Sequence, residues 1–192
     1  MHELQKRNLN QANFQDRIKY LQEQDLQKFM NVIRDFEHKL IIKMLLTLGC
    51  RVGELVKIKV QDVDISYGTV RIYGTYSKTK TPRTSVIFDK DLLIDLDYYI
   101  KTKNLKDNTA LFPMGERRIQ QIIKNYGQRV GLPWVTPHKL RHTHICQNLM
   151  KGVPINAVQQ QVGHKNLSTT QIYSKLSITD IKKAYESEYR KT

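Results

Sequence analysis

The amino-acid sequence predicts an α+β fold, mainly α-helical, with one small antiparallel β-sheet. Three observations carry that expectation. Apolar residues recur at helical spacing over most of the 192 residues. Two short β-rich runs, residues 69–73 and 84–88, flank a turn-like basic segment. Glycine and proline fall where the periodic stretches end. The chain shows no internal repeat and no low-complexity tract.

Taken in order, residues 1–20 read as a polar, Gln/Asn/Lys-rich arm or linker, and residues 21–192 as one domain. From Asp25 a helical face forms from Leu26, Phe29, Met30, Ile33 and Phe36. A second helix, residues 39–48, is richer in apolar residues and is predicted to be buried. Gly49 breaks it and Arg51 follows. A short helix over residues 52–58 then carries Glu54 on its first turn. The two β-rich runs make a hairpin whose connection, residues 74–83, holds Lys78, Lys80, Pro82 and Arg83. Residues 89–101 return to helix, with Asp91, Asp95 and Asp97 on a face expected to turn away from a polyanion. Leu111-Phe112-Pro113 reads as a linker. Residues 117–130 form a basic helix opened by Arg117 and Arg118 and closed at Gly131. Thr136 is placed as an N-cap with Pro137 at the first helical position, where its missing N–H costs nothing. That helix ends at Lys151-Gly152. Short helices follow over residues 154–162 and 169–173, then a terminal one over 179–190 with Ile178, Ile181, Ala184 and Tyr185 on one face. An apolar stripe does not say whose surface it covers, so this helix folds back on its own domain or docks on a neighbouring copy.

Charge narrows the function. Lys plus Arg number 32 against 18 acids, a net +14, with an isoelectric point near 9.8. Such a surplus favours polyanions, because each phosphate contact releases condensed counterions. Nucleic acid is the expected partner. No stretch approaches the length of a membrane span, and residues 1–20 hold no apolar run of the secretory kind. An intracellular location follows. The two cysteines, Cys50 and Cys146, lack CxxC spacing and read as buried thiols of a reducing compartment. None of the six histidines pairs with cysteines at zinc-finger spacing, so no metal is expected.

Cleaving a phosphodiester without a metal needs fixed cations for the non-bridging oxygens, a proton donor for the leaving oxygen and a nucleophile able to hold the phosphate. Arginine suits the first task, since its planar fork binds phosphate in a bidentate way and stays charged. The segment Thr136-Pro-His-Lys-Leu-Arg-His-Thr-His144 concentrates such groups. His138 and Arg141, three apart at a helix start, share one face. Downstream, His164 follows Gly163, and Tyr173 lies nine residues later. Upstream, Arg51 opens the run Arg51-Val52-Gly53-Glu54.

In combination these residues resemble the catalytic domain of the tyrosine recombinases and phage-type integrases. The resemblance rests on Leu48-Gly49-Cys50-Arg51-Val52-Gly53-Glu54-Leu55, on His138-Lys139-Leu140-Arg141-His142, on Val162-Gly163-His164 and on Thr169-Thr170-Gln171-Ile172-Tyr173. These four boxes stand in the family's order, over residues 21–190. Val162 replaces the leucine usual there. The resemblance implies the fold of that catalytic domain and a role for each residue. Arg51 and Arg141 clamp the scissile phosphate. His138 assists proton transfer at the nucleophile, and His164 donates a hydrogen bond to a phosphate oxygen. Tyr173 attacks to give a 3′-phosphotyrosyl link and a free 5′-OH. Lys80, or its neighbour Lys78, protonates the leaving 5′ oxygen; spacing to the following strand favours Lys80. Glu54 orients the cations rather than reacting. Lys78, Arg83, Arg117, Arg118, Lys139 and Lys165 are expected to contact DNA.

The implied partner is double-stranded DNA bearing a specific recombination site. The implied assembly is a homo-tetramer on that DNA from a monomer in solution, in the cytoplasm on the nucleoid. No cofactor, metal or ATP is called for, and no membrane. Most family members carry a helical core-binding domain before the catalytic one; only residues 1–20 precede the pattern here. A chain without that clamp should hold DNA more weakly and more salt-sensitively. Two other readings compete. Residues 154–175 resemble a helix-turn-helix, as in a plain DNA-binding regulator, which leaves Arg51, the loop lysines and the His138/Arg141 pair unexplained. A relaxing topoisomerase would share the chemistry without a specific site.

Overall fold

The computed structural model describes residues 20–74 and 82–163. Its helices are α1 (Glu23–Asn31), α2 (Phe36–Leu48), α3 (Val52–Leu55), α4 (Lys90–Thr102), α5 (Glu116–Arg129), α6 (Pro137–Met150) and α7 (Ile155–Val162). Its strands are β1 (Val63–Asp64), β2 (Thr69–Ile72) and β3 (Arg83–Val86), in the order β1-β2-β3 and antiparallel throughout. The mainly helical α+β class with a small antiparallel sheet is therefore the one observed. The expected arm over residues 1–19, the lysine-bearing stretch 75–81 and the expected helices at 169–173 and 179–190 lie outside the described residues.

Helix α2 is the central element. Leu40, Ile41, Ile42, Met44, Leu45 and Leu48 are all buried, and α6, α4 and α5 pack around them. It starts three residues earlier than the apolar pattern suggested, because the Asp35 carboxylate accepts the His38 N–H (2.8 Å) and caps it. Phe36 thus opens α2 rather than completing the face of α1, and its ring meets Tyr98 of α4 edge-on with centroids 5.8 Å apart. The acids of α4 are also less idle than expected, since Asp95 accepts a hydrogen bond from Lys43 of α2 (2.9 Å).

The sheet differs in detail from its prediction. Strand β1 is two residues long, too short for alternation to reveal it. In β3 the alternation runs Arg83, Ser85 inward and Thr84, Val86 outward. The register pairs Thr69 with Val86 and Ile72 with Arg83.

The Leu111-Phe112 stretch is not a linker. Both residues are buried, the Leu111 N–H donates to the Ile58 carbonyl (2.8 Å), and Ala110 bridges Lys59. Two adjacent large apolar side chains gain more by entering the core than by spanning solvent. Leu21 is buried as well, and its N–H donates to the Thr143 hydroxyl (2.9 Å), which ties the start of the described chain to α6. A smaller apolar cluster of Ile145, Cys146, Val158 and Val162 seats α7 on α6. No described helix is long and apolar enough to cross a membrane.

Phe112 contacts Tyr99 with ring centroids 5.6 Å apart and is almost wholly enclosed. Phe112→Ala should lower the unfolding free energy by about 3–5 kcal/mol, as an aromatic lost from a core does. Urea denaturation checks this; a loss below about 1 kcal/mol, the scale of a surface change, would restore the linker reading.

Candidate active site

The site forms where two helices end. Helix α2 stops at Gly49 (φ +57°) and α7 at Gly163 (φ +72°), both left-handed, which favours glycine. A side chain at Gly49 would also lie 2.5 Å from the His144 ring and 2.7 Å from Val162. One at Gly163 would lie 2.8 Å from the Arg83 guanidinium. The helix ends therefore approach each other closely, with their last carbonyls unpaired inside the helices.

Side chains from distant segments satisfy those carbonyls. Arg141, buried on α6, donates through Nη1 to the Gly49 carbonyl (2.6 Å) and the Val162 carbonyl (2.8 Å). The neutral His144 ring donates through Nδ1 to the Leu46 carbonyl (2.8 Å). Arg83 Nε (3.2 Å) and the Ser85 hydroxyl (2.9 Å) both donate to the Gln161 carbonyl. Cations belong at helix C-termini, where the aligned peptide dipoles leave negative partial charge.

The buried carboxylate here is Glu54, on α3. It accepts two hydrogen bonds from Arg83, at 3.1 and 2.9 Å. It also accepts the Arg51 N–H (2.9 Å) and, at 3.4 Å, Arg51 Nη1. Burial pushes the Glu54 carboxyl up, but the Arg83 hydrogen bond and charge, with Arg51 and Arg141 behind them, hold it below the ordinary carboxylate value. Burial, then Arg51, lowers Arg141 to about 10, so it stays charged at neutral pH. Burial and Glu54 push the Cys50 thiol up to about 12, and both cysteines are buried and outside any disulfide. Two guanidiniums thus bond one buried carboxylate, and a third, Arg141, acts on it through its charge. Arg141 Nη2 has no hydrogen-bond partner among the described residues, although it is buried. Such an orphaned, overcharged group is costly unless an anion completes it.

His138 stands exposed on the first turn of α6, its ring edge-on to His142 with centroids 4.4 Å apart. Partial burial, then Arg141, Lys139 and Arg51, lowers its pKa, so the ring is neutral at physiological pH and able to accept a proton. Beside it lies a cleft of about 480 Å³ lined by Val52, Gln120, Lys124, Val135, Thr136 and His138 among others. Arg117 and Arg118 are exposed at the start of α5, Arg117 on the side opposite its buried Ile119, Ile122 and Ile123 and Arg118 on the flank.

The structure thus brings Arg51, Glu54, His138 and Arg141 together, with Lys139 beside them. Lys78, Lys80, His164, Lys165 and Tyr173 lie outside the described residues. Arg83 was expected to touch DNA, but its guanidinium is turned inward and committed to Glu54 and Gln161. Its alternation with Ser85 and Ile87 was the available signal for that orientation. Sequence reasoning missed Ser85 and Gln161, whose contacts are made to backbone and leave no pattern.

Residues 19–179 match the phage integrase family. The chain belongs to that family, the tyrosine recombinases. It is 35% identical to tyrosine recombinase XerA of Pyrococcus horikoshii over 88% of this chain, and spans 60% of that relative's length. The crystal structure of XerA recombinase superposes with a TM-score of 0.76 at 28% identity, covering 88% of this chain and 65% of that one. XerH recombinase bound to its difH substrate before cleavage has the same fold, with a TM-score of 0.71 at 21% identity over 84% of this chain and 51% of that one.

Two outcomes follow from the charges. The fold holds His144 neutral, chiefly by burial and despite the Leu46 hydrogen bond, with a value of about 4 against an ordinary 6.5. The unfolded chain therefore binds the proton first as pH falls. Stability complete above 6.5 should decline towards pH 4, by about 3 kcal/mol at most. Urea unfolding across that range should show the slope, and His144→Asn should flatten it. Glu54, with its pKa held low, contributes stability above the ordinary carboxylate range and loses it as pH falls through its folded value. At neutral pH Glu54→Gln should cost about 3–5 kcal/mol, since it leaves the guanidiniums unbalanced. The deficit should shrink in strong acid, where the parent carboxyl is itself protonated. A deficit independent of pH would show that shape rather than charge is lost.

Proposed function

We propose that this chain is the catalytic part of a site-specific DNA recombinase that cuts and rejoins DNA through a 3′-phosphotyrosyl intermediate, without metal or ATP. The observation that carries the reading is the buried Arg141, held at two helix ends with one Nη unpartnered among the described residues and with Arg51 beside it. A plain DNA-binding regulator has no use for a buried arginine with an unpartnered Nη set beside a second arginine and a buried carboxylate. In support, the relative from Pyrococcus horikoshii is named a tyrosine recombinase, and XerH, which shares the fold, is a site-specific recombinase seen bound to its difH substrate.

In this reading Arg51 and Arg141 grip the non-bridging oxygens of the scissile phosphate, and His164 adds a hydrogen bond. Tyr173 Oη attacks phosphorus and passes its proton to the neutral His138. The bond to the 5′ oxygen breaks, and that oxygen takes a proton from Lys80, with Lys78 as the alternative donor. Attack by a 5′-OH on the phosphotyrosine reverses each transfer, so the phosphodiester count is unchanged and no external energy enters. Glu54 sets Arg51 and Arg83 in place. The exposed Arg117 and Arg118, with Lys139 and Lys165, hold the DNA backbone. The active assembly is a tetramer on a specific DNA site, formed from monomers, with residues 179–190 reaching a neighbouring subunit. The setting is the nucleoid.

Covalent trapping tests this. A pool of nicked duplexes of random sequence is incubated with the protein, denatured in detergent, and the adducts are recovered and sequenced. An adduct at Tyr173, absent from Tyr173→Phe, is the expected result. Arg141→Lys should slow its formation by at least about a hundredfold, the scale of one lost transition-state donor. DNA retention with no adduct would favour the regulator. Relaxation of any supercoiled plasmid, with no preferred sequence among the adducts, would favour a topoisomerase.

A further inference from the structure

Gln161, the next-to-last residue of α7, is used more fully than any motif accounts for. Its side-chain Oε1 accepts the Val86 N–H (2.9 Å) and its Nε2 donates to the Val86 carbonyl (2.8 Å), so one amide clasps both backbone groups of a residue on β3. The same Nε2 reaches the Thr47 carbonyl in the last turn of α2 (3.4 Å). Its own carbonyl takes Arg83 Nε and the Ser85 hydroxyl. The adjacent carbonyl, Val162, takes Arg141 Nη1 at 2.8 Å.

We propose that Gln161 is a positioning residue, which fixes the end of α7 against β3 and α2 and thereby sets the direction of the Arg141 guanidinium. Three facts combine. Arg141 Nη1 bonds two carbonyls, and one of them moves with the end of α7. The buried apolar side chains of α7 are Val158 and Val162, and apolar contact alone sets no direction along β3. The Arg83 and Ser85 bonds restrain the Gln161 carbonyl, and the Gln161 amide adds the restraint that joins this end to the Val86 backbone and to α2, because hydrogen bonds weaken steeply with angle. The chain then runs through Gly163 directly into His164. Gln161 touches no reacting atom in this scheme and acts through Arg141.

The inference rests on the proposed recombinase reading, and its test has one arm that does not. Three variants are compared: Gln161→Ala, Gln161→Met, which keeps the volume without the amide, and Gln160→Ala, which alters an exposed neighbour. In the first arm, nitrogen NMR follows rotation of the Arg141 guanidinium in the DNA-free protein. Faster rotation in both Gln161 variants, and none in Gln160→Ala, is expected; an unchanged Arg141 signal overturns the proposal. In the second arm, the duplex recovered by trapping is used in single-turnover cleavage. Both Gln161 variants should cleave about tenfold more slowly, the scale of a small misplacement of a catalytic group, with DNA affinity within about twofold of the parent. A Gln161→Met variant as fast as the parent would reduce Gln161 to a packing residue and overturn the proposal. If the parent traps no duplex, the recombinase reading fails, and the NMR arm still decides the coupling.

Discussion

Two helix C-termini meet in this protein, and a buried guanidinium joins them. Each helix end leaves carbonyls that its own turns cannot satisfy. Arg141 bonds one carbonyl from each, at Gly49 and at Val162. The pairing is favourable twice over, because the carbonyls need donors and the helix dipoles need positive charge. It also constrains what surrounds it. The helices can end this close together only where glycine turns them, and the cation can stay buried only where Glu54 offsets part of the charge. Arg83, His144, Ser85 and Gln161 occupy the remaining acceptors. The site is thus largely the solution to a packing problem at two helix ends, with charge left over. That residual charge makes it fit for an anion.

The electrostatics divide the cluster by role. Glu54 is ionised and enclosed, so Arg51 and Arg83 are held in direction as well as in charge. Arg141 keeps its proton despite burial. His138, at the rim, has its pKa lowered by partial burial and then by Arg141, Lys139 and Arg51. A neutral ring beside fixed cations can take up a proton as negative charge arrives, since an incoming phosphate would offset the cationic part of the influence that lowers its pKa. Binding an anion and gaining basicity are therefore linked at this position through Arg141, Lys139 and Arg51.

Much of this was legible in the sequence. The helical periods at residues 39–48 and 117–130, the Thr136-Pro137 cap and the hairpin runs fall close to the observed elements, because each depends on local chemistry. Arg51, Glu54, His138 and Arg141 were legible through their grouping in order along the chain. The contents of residues 111–112 were not, because two apolar residues before a proline look the same in a linker and in a core. Phe36 was assigned to the wrong helix because a cap at Asp35 outweighs a continuing apolar period. Arg83 drew attention as a surface cation, although its strand alternation turns it inward. Gln161 had no signal at all. An amide that bonds to backbone leaves no periodicity and no charge pattern, and only the fold brings Val86 to it.

The clasp at Val86 has one more effect. Strand β3 closes one side of a three-stranded sheet, and a strand edge with free N–H and C=O groups is a template for another chain to pair with. Val86 and Phe88 are both large, apolar and exposed there, which would make such pairing adhesive. By occupying both backbone groups of Val86, the glutamine amide removes the register point from which an incoming strand would zip. A side chain that holds the interior of one molecule in order thus also helps keep two molecules apart.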